Sequence, residues 1–127
     1  MEAEIAPRFL EGIAKFNSGD FYECHDILED VWFDINPDSN DRNFYQGLIH
    51  IAVGFYHVTE KSNPTGALLQ LNKAIKKLTP FKPSYEKVEL NKLLAKIEKC
   101  IKEIEKLKNE KVKRFDIKLI PRINFIK

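Results

Sequence analysis

Cysteine is scarce in this sequence: Cys24 and Cys100 are the only two, and they fall in no metal or redox spacing. A disulfide framework and a cysteine-built zinc site are therefore excluded, and two lone, packed thiols suit a reducing cytoplasmic compartment. Long apolar runs are missing as well, since no stretch reaches the roughly eighteen residues that a membrane span requires. Met1 to Pro7 carries Glu2 and Glu4 rather than a basic start to an apolar stretch, so no secretory leader is expected. Glycine and proline are few, five and six, and they act as punctuation between segments rather than as low-complexity sequence.

Charge is abundant but unevenly laid out. Residues 1–66 carry 12 acids and 4 bases, whereas residues 67–127 carry 7 acids and 17 bases. A basic half can point to nucleic acid or an anionic membrane. Here, however, 15 of the 17 bases are lysines scattered among glutamates, the pattern of a solvated face complementing the chain's own acidic half. Neither nucleic acid nor a membrane is expected as a partner.

The 127 residues suffice for one domain with its own core, and the pattern predicts an all-α bundle of about five helices over residues 1–127. A first helix runs from about Pro7 through Phe9, Ile13 and Phe16 to Asn17, and a second runs from the N-cap Asp20 to Phe33. A third, after Asn40 or Asp41 and reaching Thr59, is apolar almost all round between Leu48 and Val58 and should be central. Gly47 and Gly54 share one stripe of it and should let a neighbouring helix come close. Asn63 and Pro64 open a fourth helix that ends near Thr79, completing a core of residues 7–79.

Beyond that core, Ser84 is read as the cap of a long basic helix over residues 84–111, about 40 Å. Its stripe of Leu90, Leu94, Ile97, Ile101 and Ile104 has the spacing of a helix-helix seam, either a bent core helix or the arm of a homodimer. Residues 112–127 alternate Phe115, Ile117, Leu119, Ile123 and Phe125 with mostly polar residues, which suits an extended strap needing a groove in the same chain or a partner.

Chemistry concentrates on the second and third helices, which hold all three histidines. His25 and Glu29, four residues apart, are adjacent on one face beside Phe21, Leu28 and Trp32. Arg42, Gln46, His50 and His57 fall on one side of the third helix, and a short connection makes the two helices antiparallel neighbours. Cys24 points about 100° away from His25 and is discounted as a nucleophile, and Glu23 lies about 200° around.

These residues form a pattern: Phe16-Asn17-x-Gly19-x-Phe21-x-Glu23-x-His25-x-x-x-Glu29-x-x-Trp32, then Arg42-x-x-x-Gln46-Gly47-Leu48-Ile49, then Tyr56-His57 and Gly66-Ala67. The pattern resembles the small helical family catalogued as domain of unknown function 309, over about residues 9–79. Asp26, Asp30 and His50 stand where that family often has Glu, Glu and Gln. The resemblance implies a helical bundle and carries a label of metal-dependent hydrolase without a characterised activity. On that label His25, Glu29 and His57 would hold a divalent metal ion, since imidazole and carboxylate from facing helices can share a cation. His25 and Glu29 would serve catalysis, with Glu23 or Asp26 as base and Arg42 holding an anionic substrate group, while Gln46 and Trp32 would contact what is bound. His50 and His57, about 10.5 Å apart along the axis, should not share one ion. The same residues equally suit a buried polar network fixing how two helices meet, in a non-catalytic interaction module.

Overall fold

The computed structural model describes residues 6–126, so Glu2 and Glu4, which carried the reading of the N-terminus, lie outside the described residues. Five α-helices make up the framework: α1 (Pro7–Asn17), α2 (Phe21–Phe33), α3 (Asp41–Glu60), α4 (Pro64–Leu78) and α5 (Asn91–Lys108). Among the described residues no helix is long and apolar enough to cross a membrane.

Local chemistry starts these helices where the punctuation stands. The Asp20 carboxylate accepts the Glu23 N–H at the head of α2, and the Asn63 side chain accepts the Gly66 N–H at the head of α4, where Pro64 fills a position needing no donor. The central element is α3, with ten buried residues from Phe44 to Val58. It lies antiparallel between α2 and α4: Phe55 meets Phe21 and Tyr56 meets Tyr22 near the start of α2, while Arg42 reaches Trp32 near its end. The approach of α4 depends on the two α3 glycines. A Cβ on Gly47 would sit 2.6 Å from Leu78 Cγ, and one on Gly54 would sit 2.7 Å from Leu71 Cγ, distances no side chain tolerates.

The fifth helix begins later and ends earlier than its sequence suggests, spanning about 27 Å rather than about 40 Å. Ser84 opens a small hairpin instead, β1 (Ser84–Tyr85) pairing antiparallel with β2 (Val88–Glu89). Glu86 and Lys87 turn the corner at φ 47° and 63°, the left-handed pair a tight hairpin needs, although neither is a favoured turn former. The Glu89 carboxylate then accepts the Lys92 N–H at 3.0 and 3.1 Å, and α5 starts there. Its inner face is Leu93, Leu94, Ile97, Cys100 and Ile104, all buried, while Ile101 is only partly covered. The stripe read as a seam is thus largely closed by the chain itself, chiefly against α4.

An extended C-terminal strap is present, and its groove also lies in the same chain. Asn17, the last residue of α1, donates to the Ile123 carbonyl at 2.9 Å and accepts the Ile123 N–H at 2.8 Å. Phe125 bridges to Val88 and packs edge-on to Phe9. Ile117 and Leu119, by contrast, sit exposed in a short 3-10 turn. Replacing Asn17 by Ala is expected to lower the unfolding free energy by about 1–3 kcal/mol, because it leaves both the N–H and the carbonyl of Ile123 without this partner in a part-buried setting. Chemical denaturation and amide exchange at Ile123 would measure it, and an unchanged midpoint with unchanged exchange would show that the strap is held by other contacts.

Candidate functional site

With Asp20 fixing the start of α2, the residues Phe21, Cys24, Ile27 and Leu28 turn inward. His25 and Glu29 then fall on the boundary between buried and exposed faces, their side chains 27 % and 42 % exposed. His25 Nε2 lies 3.1 Å from Glu29 Oε1, and its Nδ1 lies 3.4 Å from Asp26 Oδ1. One possible ligand atom from each of His25, Asp26 and Glu29 falls within 4.8 Å of the others, a grouping that could hold a cation. A carboxylate therefore stands beside each ring nitrogen, Glu29 the nearer.

His57 is not part of that cluster. It lines a cavity of about 160 Å³ with Phe21, Tyr22, His25, Val53 and Tyr56, so the two histidines share an apolar pocket rather than an ion position. Its Nδ1 is buried without a hydrogen-bond partner among the described residues. Glu23 points away, as rotation around the helix requires, and pairs with Lys15 at 2.9 Å. Burial pushes the Cys24 thiol up to about 12, which removes it as a nucleophile.

Arg42 and Trp32 form a joint between α2 and α3. The guanidinium stacks 4.1 Å from the Trp32 ring centroid and donates to the Ile35 carbonyl at 2.9 Å and the Trp32 carbonyl at 3.5 Å. It satisfies the Ile35 carbonyl just past the end of α2, adds a second, longer donor to a Trp32 carbonyl that already accepts the Ile35 N–H at 3.1 Å, and clamps the start of α3 to that end. The Trp32 indole N–H is buried without a partner among the described residues.

Gln46 faces a different space, a groove of about 840 Å³ between α3 and α4 that His50 also lines. His50 Nδ1 is 2.7 Å from Gln70 Oε1, which makes Nδ1 the donor to that amide oxygen. Spacing alone could not have divided Arg42, Gln46, His50 and His57 among three surroundings, because they share a side of α3 but meet different neighbours along its length. Asp26 is the residue of the cluster that rotation arguments pass over, since adjacent helix residues diverge and only side-chain reach brings them together.

Two outcomes follow from this geometry. Arg42→Ala is expected to cost about 1–3 kcal/mol in stability and to shift Trp32 emission, with Arg42→Lys failing to restore either, because a lysine cannot stack and fork together. Equilibrium unfolding followed by fluorescence reads both; full stability in Arg42→Ala would refute the joint. Burial, opposed by Gln70 and reinforced by Lys73 and Lys77, holds the His50 pKa below its ordinary 6.5. Above pH 6.5 the ring is neutral folded or unfolded, but below it the unfolded chain takes up the proton first. Stability is therefore lost as pH falls from about 6.5 through the folded value, and His50→Gln should remove that share of the slope in denaturant titrations.

Comparison with known proteins places this geometry in a family context. An uncharacterised protein of Aquifex aeolicus is 27% identical over 100 residues, covering 79% of this chain and 28% of that protein. The uncharacterised protein YpuF of Bacillus subtilis is 32% identical over 60 residues, covering 46% of this chain and 33% of YpuF. The matches thus span about a third or less of the length of these curated relatives. The family model described as Domain of unknown function (DUF309) matches residues 9–69, which hold the α2 cluster, the Arg42–Trp32 joint and all of α3. Over residues 9–69, just under half of its length, the chain is similar to the domain of unknown function 309 family.

Proposed function

We propose that α2 carries a divalent-cation site and that the chain acts through it as a metal-dependent hydrolase. The single observation behind this reading is the convergence of His25, Asp26 and Glu29 within 4.8 Å. Their chemistry fits such an ion: imidazole nitrogen with carboxylate oxygen is the donor set of zinc and of manganese or iron in helical carboxylate proteins. His25 Nε2 and Glu29 would hold the ion, and Asp26 would orient the imidazole from behind. The ion would supply Lewis acidity toward a carbonyl or phosphoryl oxygen and toward water. Part exposure of the cluster leaves room for a substrate to approach it. The free, buried Cys24 and Cys100 fit a cytoplasmic setting.

A second reading, a non-catalytic helical interaction module that can self-associate, draws support from the Arg42–Trp32 joint. Two of the proposed functional side chains are occupied there in holding α2 to α3. On that reading the exposed pair Ile117 and Leu119 is the surface for a second copy, and Ile117→Glu with Leu119→Glu should abolish a dimer seen by sedimentation.

Cobalt and zinc titrations of the metal-free chain separate the two. The hydrolase reading expects one equivalent bound with a visible cobalt spectrum, and binding weakened at least about tenfold in His25→Ala and Glu29→Ala. It also expects a loss of about 10-fold to 100-fold in Asp26→Asn, with Arg42→Ala binding as the parent does. No stoichiometric metal at neutral pH would overturn it.

A further inference from the structure

We propose that the groove between α3 and α4 binds a small organic phosphate carrying a planar ring, the chemistry of a mononucleotide. Its phosphate would meet Lys73, Lys76 and Lys77, and its ring would lie against Phe81 and Tyr85. The groove is distinct from the α2 cluster and shares none of its residues.

Charge is the first support. Between Glu60 and Glu86 the chain carries five lysines and no acid, and three of the five, Lys73, Lys76 and Lys77, line this one groove. Lys73 and Lys77 stand one turn apart, and Lys73 and Lys76 three residues apart, so each pair repels across the helix surface. None of the three makes an ion pair among the described residues, while Arg8, Lys15 and Lys106 each find a carboxylate within their own half of the chain. An anion seated among these lysines would turn mutual repulsion into attraction, as charge-assisted hydrogen bonds to phosphate do.

The opposite wall supplies the means of recognition. Asn40, Asn43 and Gln46 offer amide donors and acceptors with no side-chain partner among the described residues. His50 donates from Nδ1 to Gln70, which leaves Nε2 as an acceptor suited to a ligand hydroxyl. At the end of the groove the Phe81 and Tyr85 rings pack at 4.6 Å between centroids, and the Tyr85 hydroxyl donates to Asp41, so the aromatic wall is held in place before anything binds. A cavity of about 840 Å³ lies in the range of small-molecule clefts, unlike the 160 Å³ pocket beside His25.

The test is calorimetric titration of the full chain at low salt with ADP, adenosine, pyrophosphate and a dodecamer of thymidylate. ADP is expected to bind one to one with a dissociation constant below about 1 mM. Adenosine and pyrophosphate, each lacking one half of the ligand, should bind at least about tenfold more weakly. The triple change K73Q/K76Q/K77Q, confined to side chains on the open face of α4, should abolish ADP binding with the melting curve retained. Phe81→Leu should weaken ADP and leave pyrophosphate unchanged. Absence of saturable ADP binding, or unaltered binding in the triple variant, would overturn the proposal. So would pyrophosphate binding as tightly as ADP, or a dodecamer binding more tightly than ADP and losing its affinity in the triple variant, because the groove would then serve bare phosphate or a polynucleotide.

Discussion

The close seating of α4 on α3 is the constraint from which the remaining geometry follows. Leu71 and Leu78 occupy the places where side chains on Gly54 and Gly47 would have been, and a helix with no Cβ at two levels of one stripe can be approached more nearly than any other. Glycine inside a helix costs stability relative to alanine, so α3 gives up intrinsic helicity for packing density. Once α4 lies that close, the side chains of α3 flanking the stripe are displaced to its edges. Gln46 and His50 come out on the α4 side near the end of that helix, and His57 comes out level with the start of α2 and Gly66. Buried residues fill what remains, and none of the fully buried positions is polar or charged among the described residues.

That displacement separates residues that one face of one helix had seemed to unite. Arg42, Gln46 and His57 lie within about 60° of one another by rotation, yet they enter a helix joint, an open groove and an apolar pocket respectively. What divides them is the vertical order of neighbours along α3, which sets the end of α2 beside Arg42 and its beginning beside His57. The His-x-x-x-Glu-x-x-Trp pattern on α2 accordingly has two uses. His25 and Glu29 offer a donor pair at the surface, whereas Trp32 belongs to the interior architecture, where Arg42 covers its ring.

How much of this was legible in the sequence follows the range over which each feature is determined. Local chemistry was readable: the caps at Asp20 and Asn63, the pairing of His25 with Glu29, the burial of α3, and the close approach at Gly47 and Gly54 all depend on spacing within one helix. The strap was readable as alternation, but its anchor on Asn17 was not, because that contact joins residues 106 positions apart. The hairpin ahead of α5 was hidden for another reason. Glu86 and Lys87 adopt left-handed backbone angles against their own preference, stabilised by pairing that only the folded chain supplies. Glu89 then caps a helix that Ser84 had seemed better placed to begin.

The division of charge between the halves of the chain acquires a spatial meaning from α3. The acids of α2, among them Asp26, Glu29 and Asp30, lie on one side of this apolar helix, and the acid-free run of α4 lies on the other. The observed ion pairs of Arg8 with Glu11 and Asp30, of Lys15 with Glu23, and of Lys106 with Glu103 each close within one half. None of these pairs joins the basic half to the acidic half. Polarity across a helix, rather than net charge, would let so small a framework serve both the cation proposed for one flank and the anion proposed for the other.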